Sequence, residues 1–221
     1  MVEQKPLTRQ HMAARLADEF ESGWLVNLGI GIPTMISNYA KDVLFHSENG
    51  VIGYGSMLPE GEENPYLVNA GGQHVDINPG ASIVHHADAF AIIRAGYIDV
   101  SIMGSYEVSE TGDFANWRTS GRKGGGIGGA MDLAMGAQRV FIAMEHTTRD
   151  GKPRLLKQLN LPATALGVVT TLMTNLGLFD ITSEGFLMRE IAPGYTPEQV
   201  QELTDAHLVI SLDLKDVDVQ V

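Results

Sequence analysis

The amino-acid sequence predicts a single α/β domain built on an open sheet. Its 221 residues are 44% hydrophobic, which is enough apolar material for one large core. Apolar runs typical of strands alternate with segments of helical periodicity, and two of the strands run directly into glycine turns. Ligands of open α/β sheets bind at the carboxyl ends of strands, so these glycine turns indicate where the functional residues lie.

The alternation begins in the first forty residues. Thr8 can cap a helix whose apolar residues repeat every four positions and which Gly23 ends. A strand over residues 24–28 runs into a glycine turn, and a second helix is predicted from Pro33 to about Tyr39. Further helices are predicted over residues 87–95 and from Thr196, and further strands over residues 81–86, 97–103, 106–109, 139–144, 168–173, 178–182, 186–190 and the tail from Leu208.

The stretch from Phe45 to Gly55 places one acid, Glu48, at the point where a short buried strand stops. Asn49, Gly50 and Gly53 follow it as turn residues. Glycines without a Cβ let backbone amides and a bulky substrate come close to the carboxylate, so Glu48 is a candidate catalytic acid. In the alternative interpretation, Asn49 and Gly50 form only a hairpin turn and Glu48 is its solvated first residue.

A second glycine-rich stretch runs from Gly121 to Leu133 and leads into the strand predicted over residues 139–144. A linker would separate two domains, but the composition does not change across this stretch. We therefore interpret it as a loop that presents backbone N–H groups to a ligand, as an oxyanion hole does. Upstream, the segment Gly112–Trp117 places an asparagine after a turn, and its tryptophan is interpreted as a core residue.

Composition and missing motifs exclude several classes of function. The net charge is −12 and no basic run exceeds Arg122-Lys123, so a nucleic-acid partner is not expected. The absence of cysteine excludes disulfides, thiol nucleophiles and thiolate zinc sites. A dinucleotide fingerprint fails where Thr34 replaces its third glycine, which leaves the turn before that helix as a candidate anion or acyl pocket. The sequence shows no signal core and no apolar run long enough for a bilayer span, so the cytoplasm is expected.

The run from His85 to Asp88 suggests a metal site at first sight. Neighbouring strand residues point to opposite faces, however, so His85 and His86 could not easily share one ion if this run is a strand. We therefore expect structural histidines at a strand end and no metal.

Three motifs, in order and spacing, give a specific match. Ser47–Gly50, Gly112–Trp117 and Gly128–Leu133 resemble the β subunit of the class I (3-oxoacid) CoA-transferases. Further similar segments are Leu67–Gly71, His86–Phe90 and Ala143–His146. The resemblance covers nearly the whole chain. It implies an open mixed sheet flanked by helices, of the ribose-5-phosphate isomerase and CoA-transferase type, and a separate α subunit that completes the active site in an α2β2 heterotetramer.

The resemblance also implies the roles of residues. Glu48 is expected to be the nucleophile that forms a glutamyl-CoA thioester, and Gly129 to donate its backbone N–H to the oxyanions. A carboxylate is ionised at neutral pH, so this chemistry needs no histidine base. Coenzyme A is then a substrate, and no cofactor or metal is implied. The positions expected to bind substrate or CoA are Asn49, Gly50, Gly53, Asn116, Gly128 and Ala130.

The substrates expected from the resemblance are an acyl-CoA, such as succinyl-CoA or acetyl-CoA, and a 3-oxo acid. His85 and His86 are more similar to the 3-oxoadipate branch than to the acetoacetate branch, and a histidine there could equally be structural. Two other functions use the same fold: a phosphosugar isomerase with Glu48 as its base, and a ligand sensor without chemistry. The scattered lysines and arginines show no obvious phosphate cradle for the isomerase.

Overall fold

A computed structural model of the chain describes residues 4–119 and 126–219. Residues 120–125, which include Arg122, Lys123 and part of the second glycine stretch, lie outside the described residues. Within the described ranges the α-helices are α1 (Arg9–Ala17), α2 (Ile32–Met35), α3 (His86–Arg94), α4 (Ala130–Gly136) and α5 (Pro197–Glu202). The strands are β1 (Leu25–Leu28), β2 (Leu44–His46), β3 (Val51–Met57), β4 (Val75–Ile83), β5 (Val100–Met103), β6 (Glu107–Ser109), β7 (Phe114–Ala115), β8 (Arg139–Met144), β9 (Leu155–Leu156), β10 (Val169–Thr174), β11 (Gly177–Thr182), β12 (Gly185–Ile191) and β13 (Leu208–Asp216).

The described strands form one large mixed sheet and one small one. The large sheet has ten strands in the order β13-β12-β11-β10-β8-β5-β1-β2-β3-β4, and the small sheet has the order β7-β6-β9. Strands β10, β8, β5, β1 and β2 are mutually parallel, and antiparallel pairs extend this centre on both sides. The predicted open mixed sheet with flanking helices is confirmed.

The chain order reverses direction in the sheet between β1 and β5. After β1 the chain crosses to β2 on one side, and after α3 it returns to β5 on the other side and continues outward to β8 and β10. Loops that leave neighbouring parallel strands in opposite directions open a crevice at their carboxyl ends, which is the usual ligand site of such sheets.

Helices cover both faces of the sheet. Alternate residues of the central strands face opposite sides, so each face carries its own apolar core. Val140 and Ile142 of β8 belong to one core, whereas Phe141 and Ala143 belong to the other. Helices α3 and α4 pack on the first face, and α1 and α2 pack on the second. The helical residues that enter these cores include Ile93, Leu133 and Ala134 on the first face and Met12, Leu16 and Ile32 on the second.

Helices α3 and α4 meet backbone to backbone. A methyl group added to Gly136, the last residue of α4, would overlap the carbonyl oxygen of Ile93. Glycine at this position therefore sets how closely the two helices approach each other.

Several predicted elements are confirmed with small shifts at their ends. Thr8 caps α1 and accepts a hydrogen bond from the backbone N–H of His11, and Thr196 caps α5 in the same way. The tail forms β13 at the edge of the large sheet, as predicted. Residues 59–65 form an irregular loop.

The strand predicted over residues 81–86 is wrong in its bounds. The strand begins at Val75 and ends at Ile83, and His86 is already helical. Pro79 and Gly80 interrupt the strand pattern in the sequence. Strand β4 lies at the edge of the sheet, where one side makes no backbone hydrogen bonds to a neighbouring strand, so proline is tolerated there. Helix α4 was not predicted, because the glycines that precede it are typical of a loop. Strand β5 begins at Val100, three residues later than the strand predicted over residues 97–103.

Within the part of the chain that the structure describes, no helix is both long and apolar enough to cross a membrane.

Candidate active site

A cleft of about 480 Å³ lies at the carboxyl ends of β1, β2 and β5, where the sheet order reverses. The residues that line it are Leu28, Gly29, Ile30, Glu48, Ala70, Met103, Gly104, Ser105, Tyr106, Asn116, Gly126, Ile127, Gly128, Gly129, Ala130 and Leu133. A larger cleft of about 800 Å³ shares Tyr106 with it but contains none of the predicted site residues. We place the site in the smaller cleft because it contains the candidate acid.

Glu48 sits in the tight turn that joins β2 to β3. The backbone N–H of Gly50 donates to the carbonyl oxygen of Ser47 at 2.9 Å, and the N–H of Ser47 donates to Val51 at 2.8 Å. Gly50 has a φ of 113°, and a Cβ there would overlap the carbonyl oxygen of Val84. Only glycine lets the turn lie this close to the end of β4. The hairpin considered as an alternative is therefore real, yet Glu48 is half-buried and lines the cleft.

Gly129 lies directly beside the acid. It precedes the first residue of α4, and a methyl group built on it would lie 3.9 Å from Glu48 Cγ and 3.1 Å from the ring of Phe90. Gly128 has a φ of 56°, a left-handed conformation that glycine adopts without strain. Two turns from opposite halves of the sheet thus bring the predicted nucleophile and the predicted oxyanion donor together.

Asn116 faces the same cleft and has a fixed orientation. The hydroxyl of Thr164 donates to Asn116 Oδ1 at 2.7 Å and accepts from the Asn116 backbone N–H at 3.0 Å. No atom within residues 4–119 and 126–219 accepts a hydrogen bond from Asn116 Nδ2. As far as the described residues go, the Asn116 Nδ2 amide therefore faces the cleft without an acceptor.

Asn49 and Gly53 do not line the cleft, and neither does Gly50. Asn49 is exposed, and its Nδ2 donates to the carbonyl oxygen of Val68 at 2.7 Å, which ties the turn to the following loop. Gly53 packs against the backbone of Ala81. Asn49 and Gly50 shape the turn, whereas Gly53 allows a close approach of β3 to β4. A role in CoA binding stays a prediction for all three.

Sequence reasoning missed two buried polar residues beneath Glu48. Asn27 Nδ2 lies 3.1 Å from His46 Nδ1, 3.1 Å from the His46 carbonyl oxygen and 3.4 Å from Glu48 Oε2. Neither Asn27 nor His46 is exposed to solvent. The available signals were an asparagine inside an apolar strand and a histidine two residues before the acid, which strand alternation places on the same face.

Burial lowers the pKa of His46 below its ordinary value of 6.5, although the hydrogen bond with Ala89 and the charge of Glu48 oppose this. The ring is therefore neutral at physiological pH. Its Nε2 lies 3.2 Å from the carbonyl oxygen of Ala89, on α3.

The two predicted histidines make separate contacts in the structure. His85 caps α3 by accepting from the backbone N–H of Ala87 at 3.1 Å, and His86 contacts Phe90 with ring centroids 4.8 Å apart and the ring planes tilted by 45°. The opposite-face argument for these residues was wrong, because they begin a helix and do not lie on a strand. Among the described residues, no group of three or more histidine, aspartate or glutamate side chains could hold a metal ion.

Comparison with known families identifies the class of protein. The family model described as coenzyme A transferase matches residues 9–203. The chain belongs to the coenzyme A transferase family, and the class predicted from its motifs is confirmed.

Curated relatives are similar over nearly their whole length. The chain is 41% identical over 209 residues to the B subunit of a 3-oxoadipate CoA-transferase of Pseudomonas putida, with 93% of this chain and 98% of the relative covered. It is 40% identical over 206 residues to the B subunit of a succinyl-CoA:3-ketoacid coenzyme A transferase of Helicobacter pylori, covering 92% of this chain and all of the relative. The beta subunit of an acetate CoA-transferase of Escherichia coli K12 is 40% identical over 209 residues, covering 93% and 95%.

Solved structures share the fold. An acyl-CoA transferase of Escherichia coli O157:H7 superimposes with a TM-score of 0.76 at 22% identity, and the match covers 99% of this chain and 45% of that longer chain. Glutaconate coenzyme A-transferase of Acidaminococcus fermentans gives a TM-score of 0.71 at 16% identity, covering 97% of this chain and 90% of the other.

Proposed function

We propose that this chain is the β subunit of a CoA-transferase that moves CoA from an acyl-CoA to a 3-oxo acid through a thioester on Glu48. The observation that carries the proposal is the position of Glu48: half-buried, at the reversal point of the sheet, with Gly129 beside it. The names of the relatives support the reaction and the type of subunit.

The proposed reaction begins when the Glu48 carboxylate attacks the thioester carbonyl carbon. The carbon–sulfur bond breaks, CoA leaves as a thiolate, and a mixed anhydride of Glu48 and the acyl group remains. The thiolate then attacks the carbonyl carbon of Glu48 and releases the first acid, so that Glu48 carries CoA as a thioester. The second acid takes up CoA by the reverse of these steps, and Glu48 returns to its carboxylate form.

Each attack places negative charge on a carbonyl oxygen. Backbone N–H groups that are already oriented can stabilise that charge without reorganising. Gly129 can donate its N–H from a position next to Glu48, and the free Asn116 amide can donate to the substrate from the same cleft. A glutamate nucleophile is weak, so much of the lowered barrier must come from binding energy of the long CoA group away from the reacting carbon.

The two acids between which CoA is exchanged are proposed from His86 and its surroundings. Relatives that act on 3-oxoadipate and on other 3-oxo acids are equally similar to this chain, so overall identity does not separate them. His86 contacts the ring of Phe90, and that ring lies against Gly129, so one aromatic ring separates this exposed histidine from the predicted oxyanion donor. We propose 3-oxoadipate as the preferred acceptor, since an imidazole there could interact with a distal carboxylate.

The proposed partner is an α subunit in an α2β2 heterotetramer. The described cleft holds the nucleophile, a run of backbone donors and one free side-chain amide, and it remains open to solvent. An α chain would close this cleft and supply the remaining substrate contacts.

The decisive experiment is to trap the thioester in the co-purified αβ complex. Incubation with succinyl-CoA should raise the mass of the β chain by one CoA less one water, and borohydride reduction should mark the peptide that contains Glu48. Glu48→Gln keeps the size of the side chain but removes the nucleophile, so it should abolish the adduct and lower kcat by several orders of magnitude.

An active wild-type complex without any adduct on the Glu48 peptide would refute the proposed mechanism. The same preparation, assayed with succinyl-CoA or acetyl-CoA as donor, should turn over 3-oxoadipate faster than acetoacetate. The reverse order would overturn the proposed acid preference while leaving the transferase assignment intact.

A further inference from the structure

We infer that His46 is a positioning residue of this active site: its ring Nδ1 fixes the Asn27 side-chain amide so that an N–H, and not the amide oxygen, faces Glu48. The inference rests on the proposed function of Glu48. It extends that proposal to a buried pair of side chains that do not touch the substrate.

The ring proton of His46 lies on Nε2. Nε2 lies 3.2 Å from the carbonyl oxygen of Ala89, which can only accept a hydrogen bond, so Nε2 carries a proton. The ring is buried and neutral, because burial lowers the pKa of His46. A neutral ring with its proton on Nε2 has an acceptor at Nδ1.

His46 determines the orientation of the Asn27 side-chain amide. Its Nδ2 is 3.1 Å from His46 Nδ1, and because Nδ1 accepts, the Asn27 group that faces it must be the NH₂. The amide oxygen of Asn27 is buried and has no hydrogen-bond partner among the described residues. No hydrogen bond to Asn27 Oδ1 therefore fixes the orientation of the amide among the described residues. The acceptors around Nδ2 fix it.

The oriented Asn27 amide also lies beside the Glu48 carboxylate. Asn27 Nδ2 lies 3.4 Å from Glu48 Oε2 and also 3.1 Å from the carbonyl oxygen of His46, so two N–H groups face three acceptors. If the amide were rotated by 180°, its oxygen would face the Glu48 carboxylate and repel it. In the attack of thiolate on Glu48, charge develops on the oxygen of Glu48 itself. A donor held by His46 would stabilise that charge.

Two substitutions of His46 separate this role from a structural one. His46→Asn places an amide oxygen near the former Nδ1, so it keeps an acceptor for Asn27 but loses the hydrogen bond to Ala89. His46→Gln reaches the position of Nε2, so it keeps the bond to Ala89 but loses the acceptor.

In the αβ complex we expect His46→Gln to lower kcat and the single-turnover rate of thioester formation by roughly 10- to 100-fold, with the KM for acyl-CoA unchanged. His46→Asn should keep most of kcat while its melting temperature falls, because the contact with α3 is lost. If His46→Asn loses more kcat than His46→Gln, the residue acts only by holding α3 and the inference is wrong.

A double-mutant cycle tests whether His46 acts through Asn27. Asn27→Leu keeps the approximate size of the side chain and removes the amide. The double variant with His46→Gln should then be no slower than Asn27→Leu alone, whereas additive losses would contradict the inference.

Wild type and Glu48→Gln are assayed in parallel. When wild type forms the thioester and Glu48→Gln does not, a wild-type rate in His46→Gln overturns this inference alone. If wild type forms no thioester, the proposed function fails and the role of His46 fails with it.

Discussion

Gly129 is the residue at which a single methyl group should matter most. Alanine there would place its Cβ 3.1 Å from the Phe90 ring and 3.9 Å from Glu48 Cγ, in a space that is already filled on one side. We expect Gly129→Ala to fold normally and to lower kcat of the αβ complex by roughly tenfold or more, because the reacting carboxylate or its donor must shift. Steady-state kinetics together with a melting curve measure both effects.

Gly126 offers a matched control. It lines the same cleft, yet a methyl group built on it would meet no atom within 4 Å in the described structure. Gly126→Ala should therefore keep most of the activity. Equal losses in the two variants would show that general loop flexibility, and not the contact beside Glu48, limits the rate.

Only some of the individual residues of the candidate site could be predicted from the sequence. Glu48 and Gly129 stand out because an acid or a glycine run at a strand end carries a local signal in the sequence. Asn27 and His46 carry only the weak signals of a polar residue in an apolar strand and a histidine near the acid, and Phe90 carries none. Their importance comes from contacts between segments 19 to 43 residues apart along the chain. Pairing of β1 with β2 and packing of α3 create those contacts, and neither can be read from a local pattern.

At the scale of elements, α1 is attached to β12 by a buried ion pair. Arg15 donates from Nε and Nη2 to the two carboxylate oxygens of Glu190 at 2.8 Å each, and Arg15 Nη2 also donates to Glu19 at 2.6 Å. Arg15 and Glu190 are 8% and 2% exposed. Removing one member of a buried pair leaves the other charge uncompensated, which is the costly case.

We expect Glu190→Gln to destabilise the chain by about 3 kcal/mol at pH 7. Burial raises the pKa of Glu190, but hydrogen bonds and charge from Arg15 and Lys215 outweigh it and hold the pKa below the ordinary value of 4.5. A lowered folded pKa gives stability that is complete above pH 4.5 and is lost as the pH falls through the folded value. The variant should therefore lose less stability than wild type on acidification from pH 4.5, as melting temperatures across pH would show.

A partly exposed glutamate provides the comparison. Glu145 lies 3.4 Å from Arg9, and 39% of the Glu145 side chain and 64% of the Arg9 side chain are exposed, so Glu145→Gln should change stability by less than about 1 kcal/mol. A similar loss in both variants would mean that burial of the Arg15 pair is not the cause.

Element prediction succeeded where local periodicity and capping agree, as in α1 and α5. It failed at β4, where Pro79 and Gly80 interrupt the pattern, and at α4, which follows a run of glycines. In both cases tertiary context decides: β4 is held by pairing with β3, and α4 by packing on α3.

At the scale of the molecule, the isolated chain should be inactive and should self-associate. Several large apolar side chains are exposed, including Tyr66 at 91%, Ile83 at 70% and Leu212 in full, and interfaces of permanent complexes resemble a core cut in two. Light scattering should find larger species for the β chain alone and a single defined assembly after co-expression with α. Turnover of acyl-CoA by the purified β chain at the rate of the complex would contradict this prediction.

The contact between Gly136 and Ile93 has a consequence for how firmly Gly129 is positioned. It lies about two helical turns along α4 from Gly129, and the atom of Ile93 nearest to a methyl group built on Gly136 is its backbone carbonyl oxygen. Side chains exchange rotamers on short timescales, whereas the spacing of two helix backbones in contact cannot change without moving whole elements. The distance between Gly129, at the start of α4, and α3 is thereby held by a backbone contact that rotamer changes of nearby side chains do not alter.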